Sequence, residues 1–170
     1  TSRCFFGQFN FESEIMQDQN IRKAIEMGID KEGFCSVIME GRGLPAKAAF
    51  PDSFSYGNEA VETVSYDPEG AKKLLEESGW KDTDGDGYAD KDGQKLTIDW
   101  LTYPTRLEQP KLAEYAQATL KEIGIDVVVN NTSDHMTYAA DGNFDVYVSS
   151  TTTAPTGDPE YFFTSTVVGP

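Results

Sequence analysis

Histidine and cysteine are nearly missing from this 170-residue chain: His135 stands alone, and Cys4 and Cys35 are the two thiols. No Ser/His/Asp or Cys/His set, no zinc-ligand spacing and no phosphate loop can be assembled from such a sequence, so the common catalytic constellations are set aside. Two cysteines do not build a disulfide scaffold. Cys35, beside Phe34, reads as a buried inert thiol and Cys4 lies in the apolar run Cys4-Phe5-Phe6; a bridge between them needs Cα atoms within about 7 Å, which spacing alone does not establish. Positive charge is scarce as well. Fourteen Lys and Arg face 29 Asp and Glu, a net charge of −15 that repels nucleic-acid phosphates and anionic membrane surfaces and leaves cationic or zwitterionic ligands allowed. Long apolar runs are absent: no stretch approaches the roughly 20 residues of a membrane-spanning helix, and no basic-then-apolar leader opens the chain.

What is present suits one domain with its own core, since 38% of residues are hydrophobic and 12% aromatic. After an extended opening to about Phe11, Asp18 caps a helix whose Ile21, Ala24, Ile25 and Gly28 recur at i, i+3, i+4, i+7. Asp30 caps a second, with Phe34, Val37 and Ile38 as its buried face and Gly41 as its left-handed stop. A Gly/Pro/Ser-rich passage from Gly41 to Gly57 reads as a long surface loop. Asp67-Pro68-Glu69 then combines an N-cap, a proline at the first helical position and an acidic first turn; Ala71, Leu74 and Leu75 form the face and Gly79 ends it. Leu96, Ile98 and Trp100 alternate as a strand with one buried face, which makes Trp100 a core residue; Trp80, just past the helix end, reads the same way. Pro110 opens or precedes a helix lined by Leu112, Tyr115, Ala116, Leu120 and Ile123 and ended by Gly124. Ile125 to Val129 and Phe144 to Val148 read as strands covered on both faces, with a short helix from Asp134 to Ala140 between them. The expected class is α/β: an open sheet flanked by helices, with ligand-facing loops at the strands' carboxyl ends.

The run Asn20-Ile21-Arg22-Lys23-Ala24-Ile25-Glu26-Met27-Gly28-Ile29-Asp30-Lys31-Glu32-Gly33-Phe34 resembles the R-x-A-[IL]-x-x-[AG]-I-D-[KR]-E-x-[IF] signature of the family 5 extracytoplasmic solute-binding proteins of dipeptide, oligopeptide and nickel ABC importers. Three further blocks match in order: Gly41 to Pro51, Tyr66 to Gly93, and Gly124 to Val127. The resemblance implies a periplasmic-binding-protein-like lobe with an open mixed sheet, acting without catalysis. It also implies an excised second lobe, whose missing first lobe would close with it over a ligand, and a membrane permease as partner. Extracytoplasmic placement, in the periplasm or as a surface lipoprotein, follows from the same resemblance.

The best binding candidate is Thr151 to Pro159, directly after a strand. Peptide binders of the family look like W-x-x-D-Y-x-x-P here, with an Asp for the peptide amine, and nickel-type members look like W-G-A-P-Y-D-P. This chain keeps Ala154-Pro155 and Asp158-Pro159, has Pro155 where the amine-binding Asp would stand, and has Thr152 and Thr156 in place of Trp and Tyr. The pattern tilts toward nickel, transported as a chelate, with oligopeptide or dipeptide binding as the alternative. Tyr103 and Arg106, after the strand ending at Thr102, would join Thr152, Thr153, Thr156 and Asp158 at one edge of the sheet, the guanidinium pairing with a ligand carboxylate. The same Ala-Pro-Thr-Gly-Asp-Pro run also reads as a turn cluster in which Asp158 caps the next helix.

Asp82-Thr83-Asp84-Gly85-Asp86-Gly87-Tyr88-Ala89-Asp90 fits the first half of a calcium loop, with Asp82, Asp84, Asp86 and Asp90 as oxygen donors. Its twelfth position is Gly93 where a bidentate Glu belongs, so a bound calcium would stabilise structure only. His135, beside Asp134, could ligate a metal but without further ligands fits a surface or capping residue better. A calcium-stabilised extracellular adhesion module and a glycosidase domain using paired carboxylates are the readings from other classes.

Overall fold

The computed structural model describes residues 3–57 and 61–167. Its centre is a four-stranded mixed sheet: β1 (Arg3–Phe9), β4 (Thr97–Thr102), β5 (Asp126–Asn131) and β6 (Val146–Thr152), in the order β1-β6-β4-β5. The β6, β4 and β5 strands are parallel, and β1 runs antiparallel to β6 with Arg3 opposite Thr152 and Phe9 opposite Val146. A two-stranded ribbon, β2 (Asp90–Lys91) with β3 (Gln94–Lys95), stands apart from it.

The expected caps form. Asp18 accepts the Asn20 amide at the start of α2 (Gln19–Gly28), which follows the short α1 (Glu14–Gln17), and Asp67 accepts the Gly70 amide at α4 (Pro68–Glu77). The helix of the second half, α5, spans Glu108–Glu122, so Pro110 lies inside its first turn, where the missing N–H is an orphan anyway. Ile21, Ala24, Ile25, Ala71, Leu75, Ala113, Ala116 and Leu120 from α2, α4 and α5 bury against Leu96, Ile98, Trp100, Val127, Val146 and Val148. Gly28 is what lets α2 approach α5: a Cβ there would stand 2.6 Å from Ile123 Cδ1.

Two expectations fail for local reasons. The helix capped by Asp30 is brief, α3 (Lys31–Gly33), and widens into a π-helical turn over Phe34–Ile38; the 3.6-residue spacing is lost, Phe34 stays buried against Tyr115, and Val37 is 68% exposed. Gly41 still turns left-handed, with φ of 73°. The strand after Gly124 is not covered on both faces: β5 is an edge strand, Val127 is buried toward the helices and Val128 is 48% exposed on the other side. That other face carries α6 (His135–Ala140), whose six residues are too few to cover it. The chain returns from β5 through α6 to β6 on the far side of β4, and right-handed crossovers in opposite directions put α5 and α6 on opposite faces. Trp100 is a core residue, and Trp80 packs half-buried against the core with Lys91 over its ring. Cys4 and Cys35 are free thiols, each with its pKa raised by burial, so the bridge left open by their spacing is not made.

Candidate functional site

The reversal of direction at β4 puts a topological switch point between β4 and β6, where the loops after the two strands diverge and leave a crevice at their carboxyl ends. Both parallel strands deliver residues to that edge, and antiparallel β1 brings its first residue to the same place. A cavity of about 390 Å³ opens there. Arg106, from the loop after β4, lies on one wall; Ser150, Thr151 and Thr152, from the end of β6, form another. Arg3, Pro155 and Tyr161 complete it.

The residues expected at the site separate into lining and support. Arg106 and Thr152 line the cavity. Tyr103 is 8% exposed; its hydroxyl accepts the Ser150 amide at 3.0 Å, which pins the start of the β4 loop to β6. Thr153 is fully buried beneath the edge. Thr156 and Asp158 are exposed outside the cavity lining, and Asp158 Oδ1 accepts the Glu160 amide at 2.9 Å, the turn-capping bond that the sequence also allowed, at the start of α7 (Glu160–Phe162). Arg3, Ser150 and Tyr161 escape sequence reasoning, because the pairing of β1 with β6 and the return of α7 over the edge leave no local pattern.

A distant loop holds the segment after β6. Phe50, nearly buried, packs on Phe162 at 5.5 Å and on Tyr56 at 5.3 Å, and the Tyr56 hydroxyl donates to the Gly157 carbonyl at 2.6 Å. The passage from Gly41 to Gly57 is thus a strap over the cavity-forming segment. On the face of α6, His135 is neither a cap nor free at the surface. Its ring stacks on Tyr103 at 4.2 Å and its Nδ1 lies 2.7 Å from the Tyr147 hydroxyl. Burial lowers the His135 pKa, with Asp134 opposing, and burial with Tyr103 nearby pushes Tyr147 up to about 12. A neutral imidazole accepting the Tyr147 proton at Nδ1 satisfies both shifts.

The acidic loop is separate from the cavity. Carboxylate oxygens of Asp82, Asp84 and Asp86 lie within 4.8 Å of one another, but Asp90 turns instead to the Thr83 amide and hydroxyl. Asp86 pairs with the Lys95 ammonium at 2.9 Å, which lowers its pKa, and Asp82 accepts the Gly85 and Gly87 amides. Among the described residues this is the sole grouping of three such ligands, and His135 and the thiols take no part in it.

Residues 1–169 match the family model for bacterial extracellular solute-binding proteins, family 5 middle. The oligopeptide-binding protein AppA of Bacillus subtilis (strain 168) is 35% identical over 121 residues, 70% of this chain and 22% of its own length. The nickel-binding periplasmic protein of Escherichia coli (strain K12) is 31% identical over 147 residues, 85% of this chain and 28% of its own. The crystal structure of NikA from Staphylococcus aureus in complex with Ni(L-His)2 superposes with a TM-score of 0.82 at 27% identity, covering 96% of this chain and 33% of that one. The chain spans about a quarter of the length of the curated relatives it matches.

Proposed function

Since the chain belongs to the family 5 bacterial extracellular solute-binding proteins, we propose that it is one lobe of the extracytoplasmic binding component of an ABC importer. Its switch-point cavity is then one wall of an interlobe cleft, closed by a first lobe and presented to a membrane permease, with no reaction catalysed. The observation that carries this reading is the meeting of Arg106, from the loop after β4, and Thr152, the last residue of the parallel strand β6, in one polar cavity. A guanidinium with neighbouring hydroxyls suits a ligand carboxylate. Pro155, at the position where peptide binders of the family carry the amine-holding acid, lines the cavity too. The solute is therefore a carboxylate-bearing chelate of nickel in preference to a free peptide. The peptide reading has equal support from relatives and is the alternative.

Titration calorimetry of the full-length protein that contains this lobe tests the choice, with nickel(II) bis-L-histidine and a mixed tripeptide pool as probes. Micromolar or tighter binding of the chelate, lost by at least tenfold in Arg106→Gln, is expected; tight peptide binding with no chelate heat would transfer the assignment to peptides. The lobe alone should bind either probe far more weakly, because a cleft draws its contacts from both sides.

A further inference from the structure

The sheet has an open edge at β5 that the switch-point cavity does not use. In the β4–β5 ladder the Asp126 amide donates to the Leu96 carbonyl and the Thr132 amide to the Thr102 carbonyl, so even-numbered residues of β5 bond to β4. The amides and carbonyls of Val127, Val129 and Asn131 therefore point outward. The first of these carbonyls is already taken, since Gln117 Nε2 donates to the Val127 carbonyl at 2.6 Å. No strand lies beyond β5 among the described residues, and Asp126-Val127-Val128-Val129-Asn130-Asn131 has none of the lysines or prolines that commonly blunt such an edge. Beside it, on the α6 face, opens a cavity of about 620 Å³. Asp99, Asp145, Val128, Asn130, Tyr138 and Phe144 line it with six others, and no lysine or arginine is among them. The Asp145 carboxylate is engaged by the Ser13 hydroxyl and the Asp99 amide. Burial, with Asp145 nearby, raises the Asp99 pKa, as for a carboxylate that has no cation beside it.

Asp99 is the register partner of Val128. From a strand added outside β5 it is reached over the half-exposed Val128 side chain, across two strand spacings of about 4.8 Å each. Lysine and arginine suit that path, because the stem covers apolar surface while the charged end continues to the carboxylate. We propose that the β5 edge is a docking site for an extended segment of a basic partner protein, which adds to the sheet beside Val129 and Asn131 and sets a lysine or arginine across Val128 against Asp99. A second copy of this chain is the wrong occupant by charge: two molecules of net charge −15 repel, and β5 brings no basic residue of its own. The inference stands apart from the ligand-wall reading, since the two cavities share no lining residue.

The test is an amide NMR titration of the 170-residue chain with the capped peptide Thr-Val-Lys-Val-Thr, whose lysine and valines fall on opposite faces of a strand. The Val129 and Asn131 amides should shift together, and replacing the peptide's lysine by glutamate should weaken binding at least tenfold. Asp99→Asn should lower affinity for the lysine peptide at least fivefold and narrow its lead over the glutamate peptide. Val129→Pro removes an outward amide that the β4 ladder does not use, so it should abolish binding; an unchanged amide spectrum outside β5 verifies the fold of each variant. No shift at Val129 and Asn131, or equal affinity for the lysine and glutamate peptides, would overturn the proposal. Shifts confined to Arg106 and to Ser150, Thr151 and Thr152 would overturn it as well, placing the peptide on the ligand wall. If the Val129 and Asn131 amides shift on concentrating the chain without peptide, the occupant is a second copy and the basic partner is wrong.

Discussion

The two faces of the central sheet are built on different terms. The face toward α2, α4 and α5 is largely aliphatic, with Leu96, Ile98, Ile125 and Leu120 fully buried and, among the described residues, two buried polar atoms, Trp100 Nε1 and Gln109 Nε2, left without a partner. The face toward α6 is aromatic and polar: Tyr103, His135 and Tyr147 form a hydrogen-bonded stack, and Val128, Met136 and Tyr138 remain exposed. Stability is concentrated on the first face. The second fixes the loops at the carboxyl edge through a few directional contacts, an arrangement that sets positions well while adding little burial.

The largest effect that separates the faces is expected from truncation. Ile98→Ala should cost about 2–5 kcal/mol of unfolding free energy through lost transfer energy and a cavity, whereas Val128→Ala should stay within about 0.5 kcal/mol. Equal shifts of the urea midpoint for the two variants would erase the contrast.

Next is Gly28→Ala. Its new methyl meets Ile123 Cδ1 and Leu120 Cδ2 inside 3 Å, so overpacking of the α2–α5 contact should cost about 1–3 kcal/mol despite alanine's better helix propensity. A stabilised variant in the same urea titration would show that α2 can slide away, and that the aliphatic face is less tightly joined than its contacts suggest.

On the aromatic face, Tyr147→Phe should cost about 0.5–1.5 kcal/mol, the net worth of a hydrogen bond. The parent protein should retain one tyrosine that ionises near 12, seen by absorbance at 295 nm, and the variant should lose it. Because that folded pKa is raised above the unfolded value of about 10, stability is lost as pH climbs from about 10 toward 12.

The smallest expected effect is the acid-side counterpart. Burial makes His135 harder to protonate when folded, so the unfolded chain binds the extra proton first. Stability should hold above about pH 6.5, fall as the pH drops below it, and level off once the folded imidazole is protonated as well. His135→Gln should flatten this part of the melting-temperature profile; an unchanged slope would assign the acid sensitivity to carboxylates elsewhere.

Much of the aliphatic face was legible from the residues. Helix faces repeat at Ile21, Ala24, Ile25 and Gly28, the Asp67-Pro68-Glu69 start is local chemistry, and Leu96, Ile98 and Trp100 alternate with a period of two. Where reading failed, a neighbour in space decided the outcome. Val128 has the same apolar character as Val127, and only the position of β5 at the sheet edge separates them. Val37 was lost to a π-helical turn that no propensity marks. The candidate site divided in the same way. Arg106 follows β4, whose carboxyl end could be inferred; Thr151 and Thr152, expected in a loop after a strand ending at Val148, instead end β6, because pairing with β1 prolongs it, and Thr153 and Tyr103 proved buried supports.

By itself, then, the order of residues determined the elements, the caps and the α/β class, since those depend on contacts a few positions apart and on a periodicity each segment carries within it. The tertiary structure alone decided that Arg3 lines the same cavity as Arg106, that Tyr56 holds Gly157 and that His135 contacts two tyrosines, stacking on Tyr103 and bonding Tyr147. Each of these depends on strand order and crossover direction, which bring distant segments to one edge or face and leave no trace in the spacing of either partner.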